Sequence, residues 1–202
     1  MKPRNYFLTA EQVQHLRAAC DTASARGKRD LAILDSMLFQ GLRLKEVVEL
    51  RMEDIRDRGN QLILHLESRT DEIDVHDTCH QSLKTWLDES DACLGNATGP
   101  IFVPISKSIR NPQKPLRGQT ISRLVAKYGN QAGLTPVKGP NRLKPGDLRR
   151  TCARTAYDHG ADLLSLQAFF GFNHLESVAR YIGVLDIKDT GSVKNFIHYK
   201  VQ

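Results

Sequence analysis

Apolar side chains recur every three or four residues along most of this 202-residue chain, and strict alternation is confined to one stretch, 61–75. A helical period of 3.6 and a strand period of 2 bury different faces, so the chain must fold mainly as packed helices with one small antiparallel sheet, an α+β class. Thr9 and Gln12 have the spacing of a capping box, and Val13, Leu16 and Ala19 follow at helical intervals, which predicts a first helix over Ala10–Thr22. Leu31, Leu34 and Leu38 predict a second over Arg29–Gln40, stopped by Gly41. Leu44, Val47, Val48 and Leu50 begin a third almost at once, so Arg43 sits in a tight turn between two packed helices. Gln61–Leu66 and Ile73–Val75 read as a β-hairpin, and Ile101–Val103 as a further short strand. Further helices are expected at His80–Leu87, Thr120–Ala132, Asp147–His159, Asp162–Phe170 and near His174–Ile182, with exposed loops at Pro104–Gly118 and Thr135–Pro145. The length suits one domain, 1–202.

Charge is distributed unevenly. Between Ile101 and Arg154 stand twelve basic residues, Lys107, Arg110, Lys114, Arg117, Arg123, Lys127, Lys138, Arg142, Lys144, Arg149, Arg150 and Arg154, against Asp147 alone, while both flanks are slightly acidic. Such a segment repels itself unless a polyanion neutralises it, which points to nucleic acid, and double-stranded DNA is the expected partner. No apolar run reaches the roughly 18 residues needed to cross a bilayer, and the polar start lacks a signal peptide's apolar stretch, so the expected setting is the cytoplasm with no membrane contact. Cys20, Cys79, Cys93 and Cys152 form no CxxC pair and read as free, mostly buried thiols. His76 and His80 have ligand spacing but no second pair, so no metal site is expected, and Trp86 reads as core.

The segment Lys144–Gly183 carries the chemistry. Leu148-Arg149-Arg150-Thr151 is followed by Phe170-Gly171-Phe172, and Tyr181 lies nine residues beyond Phe172. Upstream stands Gly41-Leu42-Arg43-Leu44-Lys45-Glu46. This set resembles the tyrosine recombinase (phage integrase) family, whose signature joins a Gly-Leu-Arg-x-x-Glu turn, a His-x-x-Arg element, Leu-Gly-His and a tyrosine nine residues later. The opening RNYFLT and the later GNQAGL look most similar to short recombinases that invert fimbrial promoters, which consist of a catalytic domain with no N-terminal core-binding domain.

The resemblance implies a tyrosine recombinase catalytic-domain fold. It also implies a reaction in which Tyr181 attacks a DNA phosphodiester without metal or other cofactor, while Arg43 and Arg149 hold the phosphate, because guanidinium forks match the charge that builds on its oxygens. The basic segment is expected to contact DNA through Lys107, Arg110, Lys114, Arg117, Arg123, Lys127, Lys138, Arg142 and Arg150. A homo-oligomer joined through the tail Val193–Lys200, and an accessory DNA-binding protein, are implied as partners. Three helper positions depart from the pattern. Gly146 and Phe172 stand where the family has histidine, and the hairpin offers Arg69 and no lysine, leaving Arg69, Lys144 and His174 as candidate helpers. Integration or inversion of DNA in a mobile genetic element is therefore the expected activity. The alternatives are a relaxase-like nicking and mobilisation factor, or a DNA-binding transcription or accessory factor on a decayed recombinase fold.

Overall fold

The computed structural model describes residues 6–58, 61–69, 72–94, 98–105, 114–134 and 142–184, with side chains from 92 to 94 outside that description. Helix α1 (Ala10–Ala18) starts as its sequence dictates: the Thr9 hydroxyl accepts the Gln12 N–H at 3.2 Å, and the Gln12 side-chain oxygen accepts the Thr9 N–H at 3.0 Å. Helix α2 (Ala25–Leu38) begins four residues earlier than its apolar period suggests, because the Ser24 hydroxyl caps Gly27 N–H at 3.1 Å. Its polar members Arg29, Asp30 and Asp35 are buried but paired: Arg29 with Asp30 at 2.6 Å, Asp30 with the Tyr128 hydroxyl at 3.0 Å, and Asp35 with Arg17 at 2.9 Å. It is the central rod, packing against helices α4 (Asp77–Leu94) and α6 (Pro145–Asp158).

Gly41 ends this rod at φ +57°, which reverses the chain into α3 (Leu44–Glu49). A short 3-10 turn at Met52–Asp54 leads into a three-stranded antiparallel sheet of β1 (Ile55–Asp57), β2 (Leu62–Leu64) and β3 (Ile73–Asp74), with β2 in the middle and Ile63 opposite both Arg56 and Asp74. The expected hairpin is present, and β1 is an added strand. Ile101–Val103 forms no strand; this corrects the sequence expectation. The segment is buried, yet its polar groups are satisfied singly: Ile101 N–H by Leu50, the Ile101 carbonyl by Trp86 Nε1 at 2.9 Å and the Phe102 carbonyl by Leu116 N–H at 2.8 Å.

The remaining helices are α5 (Gly118–Gln131), α7 (Leu163–Phe170) and α8 (Leu175–Tyr181). The main apolar core runs from Leu8 through α1–α5 and the sheet to Leu148, with Trp86 at its centre as expected. A second, much smaller cluster of Ala153, Leu166, Phe170, Val178 and Ile182 joins α6, α7 and α8. Cys20 and Cys79 are buried free thiols and Cys152 is partly covered, while the Cys93 side chain lies outside the described residues. His76 precedes α4 and stacks on Phe39 at 5.1 Å. No described helix is long and apolar enough to cross a membrane.

Candidate active site

Three arginines from distant parts of the sequence meet at the C-terminal end of α7. Arg43, the N-cap of α3, donates through Nη2 to the carbonyls of Phe170 (3.1 Å) and Gly171 (2.6 Å). Arg149, on the first turns of α6, donates to that same Phe170 carbonyl at 2.6 Å. Arg69, between β2 and β3, donates to the Phe169 carbonyl at 2.6 Å and to the Gly41 carbonyl at 3.3 Å. The last carbonyls of a helix lack intrahelical partners and carry its negative end, so cations there satisfy both the hydrogen-bond and the charge requirement. Arg43 and Arg149, 106 positions apart, thus share one acceptor atom.

Behind the arginines lies Glu46, third residue of α3 and nearly fully buried. Its Oε2 accepts the Arg43 N–H at 2.6 Å and Arg69 Nη2 at 2.8 Å, and its Oε1 accepts the Ser68 hydroxyl at 2.8 Å. Arg149 Nη1 approaches within 3.8 Å. Burial alone would push this carboxyl up, but the bonds from Arg69, Arg43 and Ser68 outweigh it and hold the group at about 2. Burial, together with repulsion from Arg43 and Arg69, lowers the Arg149 guanidinium to about 10, so it stays charged at neutral pH. Its Nη1 is buried without a hydrogen-bond acceptor, 3.8 Å from Glu46 Oε2. Glu46 stands three residues after the Arg43 N-cap, the capping-box spacing that folds its side chain back on Arg43, and this is the signal in the sequence for its place in the site.

Tyr181 is the last residue of α8. Its hydroxyl donates to the Gly146 carbonyl at 3.4 Å, three residues before Arg149, so nucleophile candidate and arginine clamp are brought together. The phenol ring sits between two neighbours, Phe172 with centroids 5.1 Å apart and the Arg150 guanidinium at 4.8 Å. Burial raises the phenol above its ordinary range, while the charges of Arg149 and Arg150 oppose that shift. Gly146 itself opens onto unoccupied room: a Cβ built there would meet nothing within 4 Å. Phe172 fills the other histidine position with a ring that also lies 5.8 Å from Arg149.

The candidate helpers are placed differently. Arg69 is only 3% exposed and fully engaged with Glu46 and carbonyls, which makes it a brace for the clamp. Lys144 is exposed at the N-cap of α6, and His174 is exposed at the N-cap of α8. Arg117, Arg123 and Lys127 are exposed along α5, whose apolar side packs inward through Ile121, Leu124, Val125 and Tyr128; Lys114 and Arg142 are exposed as well. Arg150 is 18% exposed and pairs with Asp147 at 3.4 Å. Lys107, Arg110, Lys138 and the tail Val193–Lys200 lie outside the described residues. Among the described residues, no group of three or more His, Cys, Asp or Glu could hold a metal ion.

Comparison with known proteins agrees with this geometry. A tyrosine recombinase XerD of Xanthomonas axonopodis pv. citri is 28% identical over 183 residues, covering 86% of this chain and 57% of the relative. A tyrosine recombinase XerC of Corynebacterium glutamicum is 28% identical over 168 residues, covering 82% and 50%. The chain therefore spans little more than half the length of these curated relatives. In fold it is similar to the crystal structure of XerA recombinase, with TM-score 0.71 over 99% of this chain and 68% of that one at 18% identity. A post-cleavage complex of XerH recombinase with a palindromic difH substrate matches with TM-score 0.69 over 89% and 50%, at 19% identity. Residues 6–186 match the family description as one continuous stretch, and on that match this chain belongs to the phage integrase family, with the helical fold and three-stranded sheet of a tyrosine recombinase catalytic domain.

Proposed function

We propose that this chain cuts and rejoins DNA strands through Tyr181, in the integration or inversion of a mobile element, and that residues 6–184 supply the catalytic domain. The phenol oxygen bonds to phosphorus as the bond to the 5′-oxygen breaks. The products are a 3′-phosphotyrosyl link and a 5′-hydroxyl; the phenol loses a proton and the leaving oxygen gains one. A second 5′-hydroxyl reverses the step on another strand. Arg43 and Arg149 hold the non-bridging oxygens through their guanidinium groups. The observation that carries the reading is the convergence of Arg43 and Arg149 on the Phe170 carbonyl, with the Tyr181 hydroxyl bonded three residues away at Gly146. The exposed basic side chains of α5, with Lys114 and Arg142, supply phosphate contacts, so affinity for duplex DNA falls steeply with salt.

One observation favours a second reading. Neither Gly146 nor Phe172 can move a proton, and the likeness to the fimbrial invertases does not extend to those positions. A nicking factor, or a DNA-binding accessory protein with decayed chemistry, fits such a site. Tyr181→Phe separates strand transfer and nicking, which both need the phenol, from the DNA-binding reading. In a suicide-substrate assay the parent forms a covalent DNA adduct and the variant forms none, with DNA affinity unchanged. A phenylalanine variant that supports the cellular activity as well as the parent does leaves the DNA-binding reading in place.

A further inference from the structure

Gly146, Arg150, Arg154 and Asp158 follow at four-residue intervals and form one stripe along α6. That stripe meets the tyrosine segment step by step. The Gly146 carbonyl accepts the Tyr181 hydroxyl at 3.4 Å, the Arg150 guanidinium covers the Tyr181 ring at 4.8 Å, and Arg154 Nη1 donates to the Ile182 carbonyl at 3.1 Å. Ile182 is the C-cap of α8, so Arg154 fills an orphan acceptor at the negative end of that helix. Arg154 is itself fixed: its Nε lies 2.9 Å from both Asp158 oxygens, and its guanidinium rests 5.6 Å from the Phe7 ring centroid. Arg150 is held by Asp147 at 3.4 Å. These two are 18% and 32% exposed, each has a carboxylate partner, and each reaches the tyrosine segment directly.

We propose that Arg150 and Arg154 are positioning residues that dock α8 on α6 and keep the Tyr181 hydroxyl at Gly146, instead of contacts to the DNA backbone. The proposal rests on the strand-transfer reading above. A seven-residue helix held by three buried side chains, Val178, Ala179 and Ile182, gains further register from the two arginines, and a displaced tyrosine loses the in-line approach that the reaction needs.

The test uses the full chain, a suicide DNA substrate and three variants, Arg150→Ala, Arg154→Ala and Arg154→Lys. Single-turnover cleavage at saturating DNA falls roughly 10- to 100-fold in the two alanine variants, while DNA affinity stays within about twofold. Arg154→Lys recovers part of the rate, since an ammonium can still donate to a carbonyl. In parallel, hydrogen exchange at residues 178–184 accelerates in Arg154→Ala and that of α2 does not. Weakened DNA affinity with an unchanged saturated rate overturns the proposal and makes these residues phosphate contacts. Unchanged exchange at 178–184 also overturns it. If the parent itself forms no adduct, the strand-transfer reading falls alone, and the exchange measurement still decides whether the stripe docks α8.

Discussion

The arginine clamp and the tyrosine segment lie side by side but are built by opposite means. Arg43, Arg69 and Arg149 come from three segments, converge on the end of α7 and share the buried carboxylate of Glu46. Tyr181 ends a helix whose apolar anchors are Val178, Ala179 and Ile182, and its hydroxyl makes one long bond to a carbonyl. The groups that would meet a fixed charge on DNA are over-determined, and the group that would be delivered to phosphorus is lightly held. Rigidity is concentrated where electrostatic preorganisation needs it.

The largest effect that would sharpen this contrast is at Glu46. Glu46→Ala leaves buried Arg69 and Arg149 without their carboxylate and costs about 3–5 kcal/mol in urea unfolding. Tyr181→Phe costs under about 1 kcal/mol in the same measurement, because one long hydrogen bond is lost. Equal losses at the two sites would break the comparison. Acid provides the next largest effect. The Glu46 carboxyl sits at about 2 in the folded chain, below its ordinary 4.5, so its contribution is complete above pH 4.5 and disappears as pH falls through 2. Roughly 3 kcal/mol of stability therefore fades across that interval in the parent, and in Glu46→Gln that part of the pH dependence is absent, as urea midpoints at several pH values will show.

A smaller effect is expected at Gly41. An alanine Cβ there would stand 2.3 Å from Phe170 Cε1, at a φ of +57° that side chains disfavour. Gly41→Ala should cost about 1–3 kcal/mol, read from thermal unfolding, and displace the α7 carbonyls on which the clamp rests. The smallest effect is a gain on the tyrosine side. Gly146→His places an imidazole in open room beside the Tyr181 hydroxyl and raises single-turnover cleavage about tenfold, worth about 1.4 kcal/mol. The parent rate climbs toward alkaline pH because its phenol is raised, and the histidine variant reaches its plateau at lower pH. Identical rate profiles for the two proteins would favour the decayed-site reading.

Legibility in the sequence followed side-chain periodicity and local chemistry. The Thr9 cap and the Gly41 reversal could be read from local residue chemistry, whereas the nearness of Tyr181 and Arg149, on separate helices, followed only from the family resemblance. Strand β1 could not: Ile55-Arg56-Asp57 is three residues long, and it pairs because the all-buried β2 needs a partner on each edge. Ile101–Val103 misled for the converse reason, since an apolar triplet reads the same whether its backbone joins a ladder or bonds to Trp86 and Leu116. The hub of the site, the Phe170 carbonyl, is a backbone atom, and no side-chain pattern announces which carbonyl two arginines will share.

That hub has a consequence for synthesis. The bonds that finish the clamp span 128 residues from Arg43 to Gly171 and 100 from Arg69 to Phe169, so closing them requires nearly all of the catalytic segment. A nascent chain that has released α1–α5 from the ribosome can already bury most of the main core, but the carbonyls on which Arg43 and Arg149 converge are missing until α7 emerges. The phosphate site and the nucleophile therefore mature together only once α7 and α8 have emerged, and a chain cut short before residue 171 carries the basic helix without the clamp.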